Sequence, residues 1–259
     1  EMYGYYMLAW TMAITIFRVV YPVTGALVPK MTELVAQKKD DLVTVLYHKS
    51  CQFINVLAAP ACLTIIFFSE SILRVWTGSS DIAARSGIIL SMLTLGSLLN
   101  SMVNMPYVIQ LAHGWTSLFF WANALSLMFL VPAMIFAVSE WGAIGGAIVW
   151  PLLNTFYVIF CVLIMHKRIL KGEFTKWFFQ DIGATLLSAL LIVVTMRVIY
   201  EWLNLNQGRL VPLFFIGATT VVAFLFSSVS APKLRHSFLD SIRVMFSNFS
   251  KTSKAAALK

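Results

Sequence analysis

Charge is scarce in this chain. Only 12% of its 259 residues are Asp, Glu, Lys or Arg, and just eleven of them are acids. A soluble domain of this length covers its surface with about twice that share of charge, so the scarcity excludes an ordinary water-soluble globule. Cysteine is nearly missing too. Cys51, Cys62 and Cys161 all fall inside or at the edge of apolar stretches, with neither metal-ligand spacing nor a disulfide pattern, and read as small buried hydrophobes. The four histidines (His48, His113, His166 and His236) lie scattered near span ends and form no metal set. No phosphate-cradling glycine loop, zinc motif or nucleophile with a base at workable spacing occurs. Nothing in the sequence calls for a catalytic residue, a cofactor or a metal.

What fills the chain instead is apolar sequence, 59% of all residues, with a mean hydropathy of +0.83. It comes in runs long enough to cross a hydrocarbon core about 30 Å thick, where peptide groups without water must be satisfied within a helix. The expected fold is therefore all-α, a polytopic membrane bundle of about seven transmembrane helices. The runs are Tyr5–Val28, Cys51–Leu73, Ile88–Leu111, Ser117–Val138, Ile144–Met165, Ile182–Trp202 and Val211–Val229, with a short interfacial segment expected around Asp81 to Ser86.

The formal net charge of +8 does not indicate nucleic acid, because the basic residues sit at the ends of apolar runs rather than among aromatics on a polar face. Lys30, Lys38, Lys39 and Lys49 follow the first run; Lys167, Arg168, Lys171 and Lys176 follow the fifth; Lys233, Arg235, Arg243, Lys251, Lys254 and Lys259 follow the last. Strict alternation puts all of these on one side, which the positive-inside rule makes cytoplasmic. The N-terminus of this piece is then outside and its C-terminus inside. Trp76, Trp115, Trp141, Trp177 and Trp202 fall at run ends, the level preferred by indole rings, while Trp10 and Trp150 lie deeper, as packing residues. In the tail, Lys233–Phe249 has the spacing of an amphipathic helix on an anionic lipid surface, with an ordinary solvated tail as the alternative; residues 250–259 read as disordered. The abrupt start at Glu1 and the odd number of runs point to a piece of a longer polypeptide.

An ionisable residue at bilayer depth is expensive and marks a candidate site. Arg18 lies near the middle of the first run, with Thr11, Thr15, Pro22 and Gly25 at offsets that share its helical face. The stripe suits a water-filled cavity, and a structural pairing of Arg18 on a neighbouring helix is the alternative. In the third run Thr94, Ser97, Asn100, Ser101 and Asn104 form a second polar stripe, ahead of Pro106 and Tyr107. It serves either a cavity or interhelical hydrogen bonding. Arg18, Thr11, Thr15, Tyr21, Asn100, Asn104 and Ser97 are the candidate substrate-binding residues. Asn55, Asn123 and Asn154 are expected to be packing contacts. All eleven acids lie in loops or near run ends, among them Asp181, so an acid for ion coupling is expected elsewhere or not at all.

Several short patterns occur in a familiar order. Tyr3-Gly4-Tyr5-Tyr6 with Leu8-Ala9 opens the first run, and Ala26-Leu27-Val28-Pro29 closes it before a basic connection. Ile72-Leu73-Arg74-Val75-Trp76-Thr77-Gly78, then Pro106 with Gln110-Leu111-Ala112-His113-Gly114, then Gly142-Ala143-Ile144-Gly145-Gly146-Ala147 leading to Trp150, follow in turn. In these the chain resembles the C-terminal half of the polysaccharide flippases, the O-antigen and capsule repeat-unit exporters of the multidrug/oligosaccharidyl-lipid/polysaccharide exporter superfamily. The resemblance implies helices eight to fourteen of a fourteen-helix, two-lobed transporter. Residues 1–166 would be the five-helix lobe portion, 167–231 two additional helices and 232–259 a cytoplasmic tail.

The implied function is flipping a lipid-linked oligosaccharide, carried on polyprenyl pyrophosphate, across the bacterial inner membrane by alternating access. The implied partners are that substrate, membrane lipids and the missing half of the same polypeptide. A lipid II flippase or a drug/cation antiporter of the same fold is the nearest alternative. A membrane-embedded glycan polymerase or ligase is a more distant one, since every outer connection here is short.

Overall fold

A computed structural model describes residues 2–205 and 208–235 of the chain. All regular structure among the described residues is helical, with no strand, and the protein is a polytopic membrane helix bundle. Its elements are α1 (Met2–Ala13), α2 (Phe17–Ala36), α3 (Asp40–Phe67), α4 (Ser69–Thr77), α5 (Ser80–Ala112), α6 (Ser117–Phe156), α7 (Val162–Arg168), α8 (Phe174–Lys176), α9 (Ala184–Trp202) and α10 (Leu210–Ser230). A 3-10 turn at Ile14–Ile16 joins α1 to α2 within one long rod. Six rods are long and apolar enough to cross a membrane.

One of the six is two crossings. The rod Ser117–Arg168 is 52 residues long, about 78 Å at 1.5 Å per residue and far more than a bilayer core. Gly142 breaks it, with φ 57° and ψ −135°, a conformation essentially closed to residues with a Cβ. The chain reverses there so tightly that a Cβ added to Gly145 would stand 1.9 Å from the Ala137 carbonyl oxygen. The expected fourth and fifth runs are thus the two arms of a hairpin, and the bundle has seven crossings.

The crossings alternate. At one end Tyr47 meets His166 and His48 meets Asp181; at the other Tyr200 meets Ser71, and Gly78 lies against Arg209. The first end is the one that carries the basic connections. The expected interfacial segment is displaced: Asp81 to Ser86 form the first turns of α5, and the short helix is α4. Gly78, left-handed at φ 73°, stops α4, and Ser79 then caps α5 by accepting from the Ile82 N–H.

Helices α3 and α5 are the buried centre, with α1, α2 and α6 around α5, while α9 and α10 pack on each other and on α3. Two apolar clusters hold the bundle: a large one through α2, α3, α5, α7, α9 and α10, and a smaller one where Ala9, Ala13, Leu73, Leu90, Leu93 and Ala147 meet. Phe120, Trp121, Met128, Phe129, Ile135 and Phe136 on α6, like Phe214, Leu225 and Val229 on α10, are exposed, as side chains facing hydrocarbon must be. Trp10 and Trp150 pack edge to face at 5.8 Å, in keeping with their depth. Trp76, Trp141 and Trp202 are exposed at crossing ends. Trp177 is not an interface residue: it is buried against His166 and Phe174. The amphipathic stretch expected over Lys233–Phe249 lies outside the described residues after Arg235.

Candidate functional site

A cavity of about 470 Å³ opens between α2, α5 and the α6 hairpin. Its walls carry Tyr21 and Thr24 from α2, Asn100, Asn104 and Tyr107 from α5, Asn123 from the first hairpin arm and Tyr157 from the second. None of the lining residues comes from α3, α9 or α10, and none is charged. On α2 the lining residues Tyr21, Thr24, Gly25 and Val28 follow i, i+3, i+4, i+7, one face of a helix. On α5 Asn100, Val103, Asn104 and Tyr107 repeat the same spacing.

Local geometry holds these groups in place. Asn100 donates to the Asn154 carboxamide oxygen at 2.8 Å, and Asn154 in turn donates to the Trp150 carbonyl. Asn104 donates to the Asn100 carbonyl at 3.0 Å. The Tyr157 hydroxyl donates to the Asn123 carboxamide oxygen at 2.5 Å. Tyr157 begins a π-helical turn, Tyr157–Cys161, in which the Val162 N–H reaches back five residues to the Tyr157 carbonyl. Such a turn inserts one extra residue and re-aims side chains, a device common at functional positions. Tyr107 and Tyr157 both pack on Phe119, at 4.8 and 5.7 Å, so the phenol rings form a semi-rigid aromatic wall.

The residues singled out from sequence divide into three groups. Tyr21, Asn100 and Asn104 line the cavity. Arg18, Thr11 and Thr15 are exposed beyond it, Arg18 one turn from Tyr21 and seven residues from Gly25, on the same face. The two threonines return their hydroxyl protons to the Met7 and Thr11 carbonyls. Ser97 does not join them: it is fully buried and donates to the Leu93 carbonyl. Asn154 and Asn55 act as packing contacts, as expected, Asn55 donating to the Ile182 carbonyl and to Thr185. Asn123 is a cavity residue as well as a hydrogen-bond partner. The family models, the curated proteins and the solved structures compared with this chain give no match.

Thr24, Tyr107, Asn123 and Tyr157 complete the site although none was a candidate binding residue, Asn123 having been expected to be a packing contact. The only sequence signal for them was one polar or phenolic residue per crossing at similar depth. The second missed feature lies at the basic end. His48 is buried against the Asp181 carboxylate through Nδ1 and against Glu173 through Nε2, the latter at 3.0 Å. Gln52 donates to Asp181 at 2.8 Å and accepts from the Lys233 backbone N–H at 3.0 Å. Asp181 was expected at a crossing end; its side chain is 1% exposed. It sits in a second π-helical turn, Trp177–Gly183, where the Ala184 N–H reaches the Phe179 carbonyl.

Proposed function

We propose that the chain is one lobe of a membrane exporter that moves a polyprenyl-pyrophosphate-linked oligosaccharide across a bacterial inner membrane, its basic end in the cytoplasm. The observation that carries this reading is the 470 Å³ cavity, walled by carboxamides, phenols and a hydroxyl within helices otherwise made of hydrocarbon. Carboxamides both donate and accept, which suits sugar hydroxyls, and phenol rings offer flat apolar faces to sugar C–H groups. Arg18 continues the cavity's α2 face, and a guanidinium is the natural partner for a pyrophosphate because it offers a planar, permanently charged fork of donors. Among the described residues no carboxylate lines the cavity, which argues against an organic cation as cargo. The resemblance to the polysaccharide flippases supports the same substrate class, with rocking of one lobe against another as the means of alternating access.

Replacing Arg18 by Ala in the complete protein tests the reading. Surface glycan should be lost while the protein level in the membrane is unchanged. Normal glycan with Arg18→Ala overturns the assignment of Arg18 to the substrate path.

A further inference from the structure

The cluster at the basic end contains an unusual proton count. The His48 ring nitrogens face two carboxylates, Asp181 at Nδ1 and Glu173 at Nε2. Ionised carboxylates only accept hydrogen bonds, and a neutral imidazole carries one N–H. Two hydrogens are therefore shared among the three side chains, whichever atoms hold them. A neutral histidine beside two carboxylates supplies only one. The second histidine of the cluster makes the contrast. His166 donates from Nδ1 to the Val162 carbonyl at 2.8 Å and faces the Tyr47 hydroxyl with Nε2 at 3.2 Å, so its neutral form satisfies both contacts.

We propose that His48, Asp181 and Glu173 form a proton-binding site, and that its proton latches the connection 169–173, the joint between the hairpin and the α9–α10 pair, onto α3. The extra proton is shared between His48 and Asp181 rather than held by Glu173. Burial raises the Glu173 carboxyl, but hydrogen bonds from Lys176 and His48 outweigh it and hold the group below its ordinary value, so Glu173 is a carboxylate at neutral pH. When this proton leaves the His48–Asp181 pair, the remaining N–H stays with Asp181, which has no access to water and is fixed by Gln52. The bare Nε2 lone pair then confronts the Glu173 carboxylate, and this contact opens. Glu173 has somewhere to go: Lys176 already bonds its other oxygen at 3.0 Å, and it borders a 210 Å³ surface pocket shared with Asp40, Thr44, His113 and Lys171.

The other groups facing the triad do not supply the missing hydrogen. From α3 these are Tyr47, committed to His166, and Cys51, which stands against Tyr47, Trp177 and Asp181. From α7 it is His166, and from α8 it is Lys176. Lys233 touches the cluster through its backbone N–H on Gln52. The inference stands independently of what the cavity carries.

Hydrogen–deuterium exchange of the intact protein, corrected for the intrinsic pH dependence of amide exchange, tests it. As pH rises, amides 169–177 should lose protection by up to about tenfold per pH unit, the limit for one linked proton. Glu173→Gln should remove this step, because a carboxamide can donate to the bare ring nitrogen; Glu173 is part-exposed, so this variant should fold. His48→Gln should remove it as well. A corrected protection that is flat in the unaltered protein, or a step that survives Glu173→Gln, overturns the proposal.

Discussion

The carboxamides of Asn100 and Asn154 face one another between α5 and the second hairpin arm, with Nδ2 of the first 2.8 Å from Oδ1 of the second. Asn154 is fully buried and hands its own N–H to the Trp150 carbonyl. Asn100 lines the cavity, and its bond to Asn154 is a strut between helices behind that wall. Each amide nitrogen in it donates to a directed partner, which is how polar groups can persist inside an apolar bundle.

Asn154→Leu should lower stability by about 1–2 kcal/mol, since it leaves the Asn100 amide facing hydrocarbon. The paired change Asn100→Leu with Asn154→Leu should cost less than the sum of the two single changes, with a coupling of about 0.6–1.7 kcal/mol. Unfolding of the detergent-solubilised protein measures all three. Strict additivity would mean that the two amides do not support each other.

The hairpin at Gly142 predicts a different kind of sensitivity. Gly142→Ala should destabilise by about 1–3 kcal/mol because a Cβ at that φ and ψ is strained. Gly145→Leu should be worse, because the side chain collides with the Ala137 backbone, which cannot yield without opening the hairpin. Thermal melting of the two variants should rank them in that order, and equal melting temperatures would show that the reversal is looser than the geometry requires.

Alternation of the crossings places Asp40 and Ser79 at opposite ends of α3 and α4. Single cysteines introduced at these positions should therefore react with a membrane-impermeant thiol reagent from opposite sides, position 40 from the cytoplasm. Reaction from the same side would undo the assignment of crossings. The native cysteines, all buried, give little background.

Hydropathy made the crossings legible because a bilayer leaves helices as the only way to satisfy a peptide group. The break between the fourth and fifth runs was visible as Glu140 and a glycine cluster, which the structure turns into the reversal at Gly142. Tyr21, Asn100 and Asn104 were legible because polar residues at helical spacing on apolar helices stand out. The rest was hidden for specific reasons. The 3-10 turn Ile14–Ile16 adds roughly 20° of rotation per residue relative to an α-helix, so the stripe from Thr11 to Arg18 does not run straight into the cavity. The π-turns at Tyr157 and Trp177 shift register without a sequence signature. His48 and Asp181, 133 positions apart, look unrelated until α9 docks on α3.

Glu173 gives a pH prediction on the acid side. Burial raises its carboxyl, but hydrogen bonds from Lys176 and His48 outweigh that and hold it below its ordinary value of 4.5. A carboxyl depressed in the folded state contributes stability that is fully present above its unfolded value, about 4.5, and lost as pH falls through the lower folded value. The protein should accordingly lose stability as pH drops below about 4.5, and Glu173→Gln should flatten that limb while leaving the neutral plateau nearly level. An acid limb of unchanged steepness in Glu173→Gln would place the loss on other carboxylates.

The sign of charge that the cavity accepts is open to direct test at Asn104. Its carboxamide lines the cavity and donates to the Asn100 carbonyl at 3.0 Å. Asn104→Asp is nearly isosteric but converts a donor into an acceptor with a negative charge in a low-dielectric wall. For a pyrophosphate-linked cargo this is repulsion within the cavity, so surface glycan should fall at least about tenfold, a loss of about 1.4 kcal/mol of binding. Asn104→Gln keeps the amide chemistry and should retain most activity. An organic-cation exporter would behave oppositely, with Asn104→Asp raising export of a fluorescent lipophilic cation from loaded cells. Because the two cargo classes move in opposite directions with one substitution, the pair of measurements separates them even if Asn104→Asp lowers the amount of protein, provided transport is normalised to the protein in the membrane.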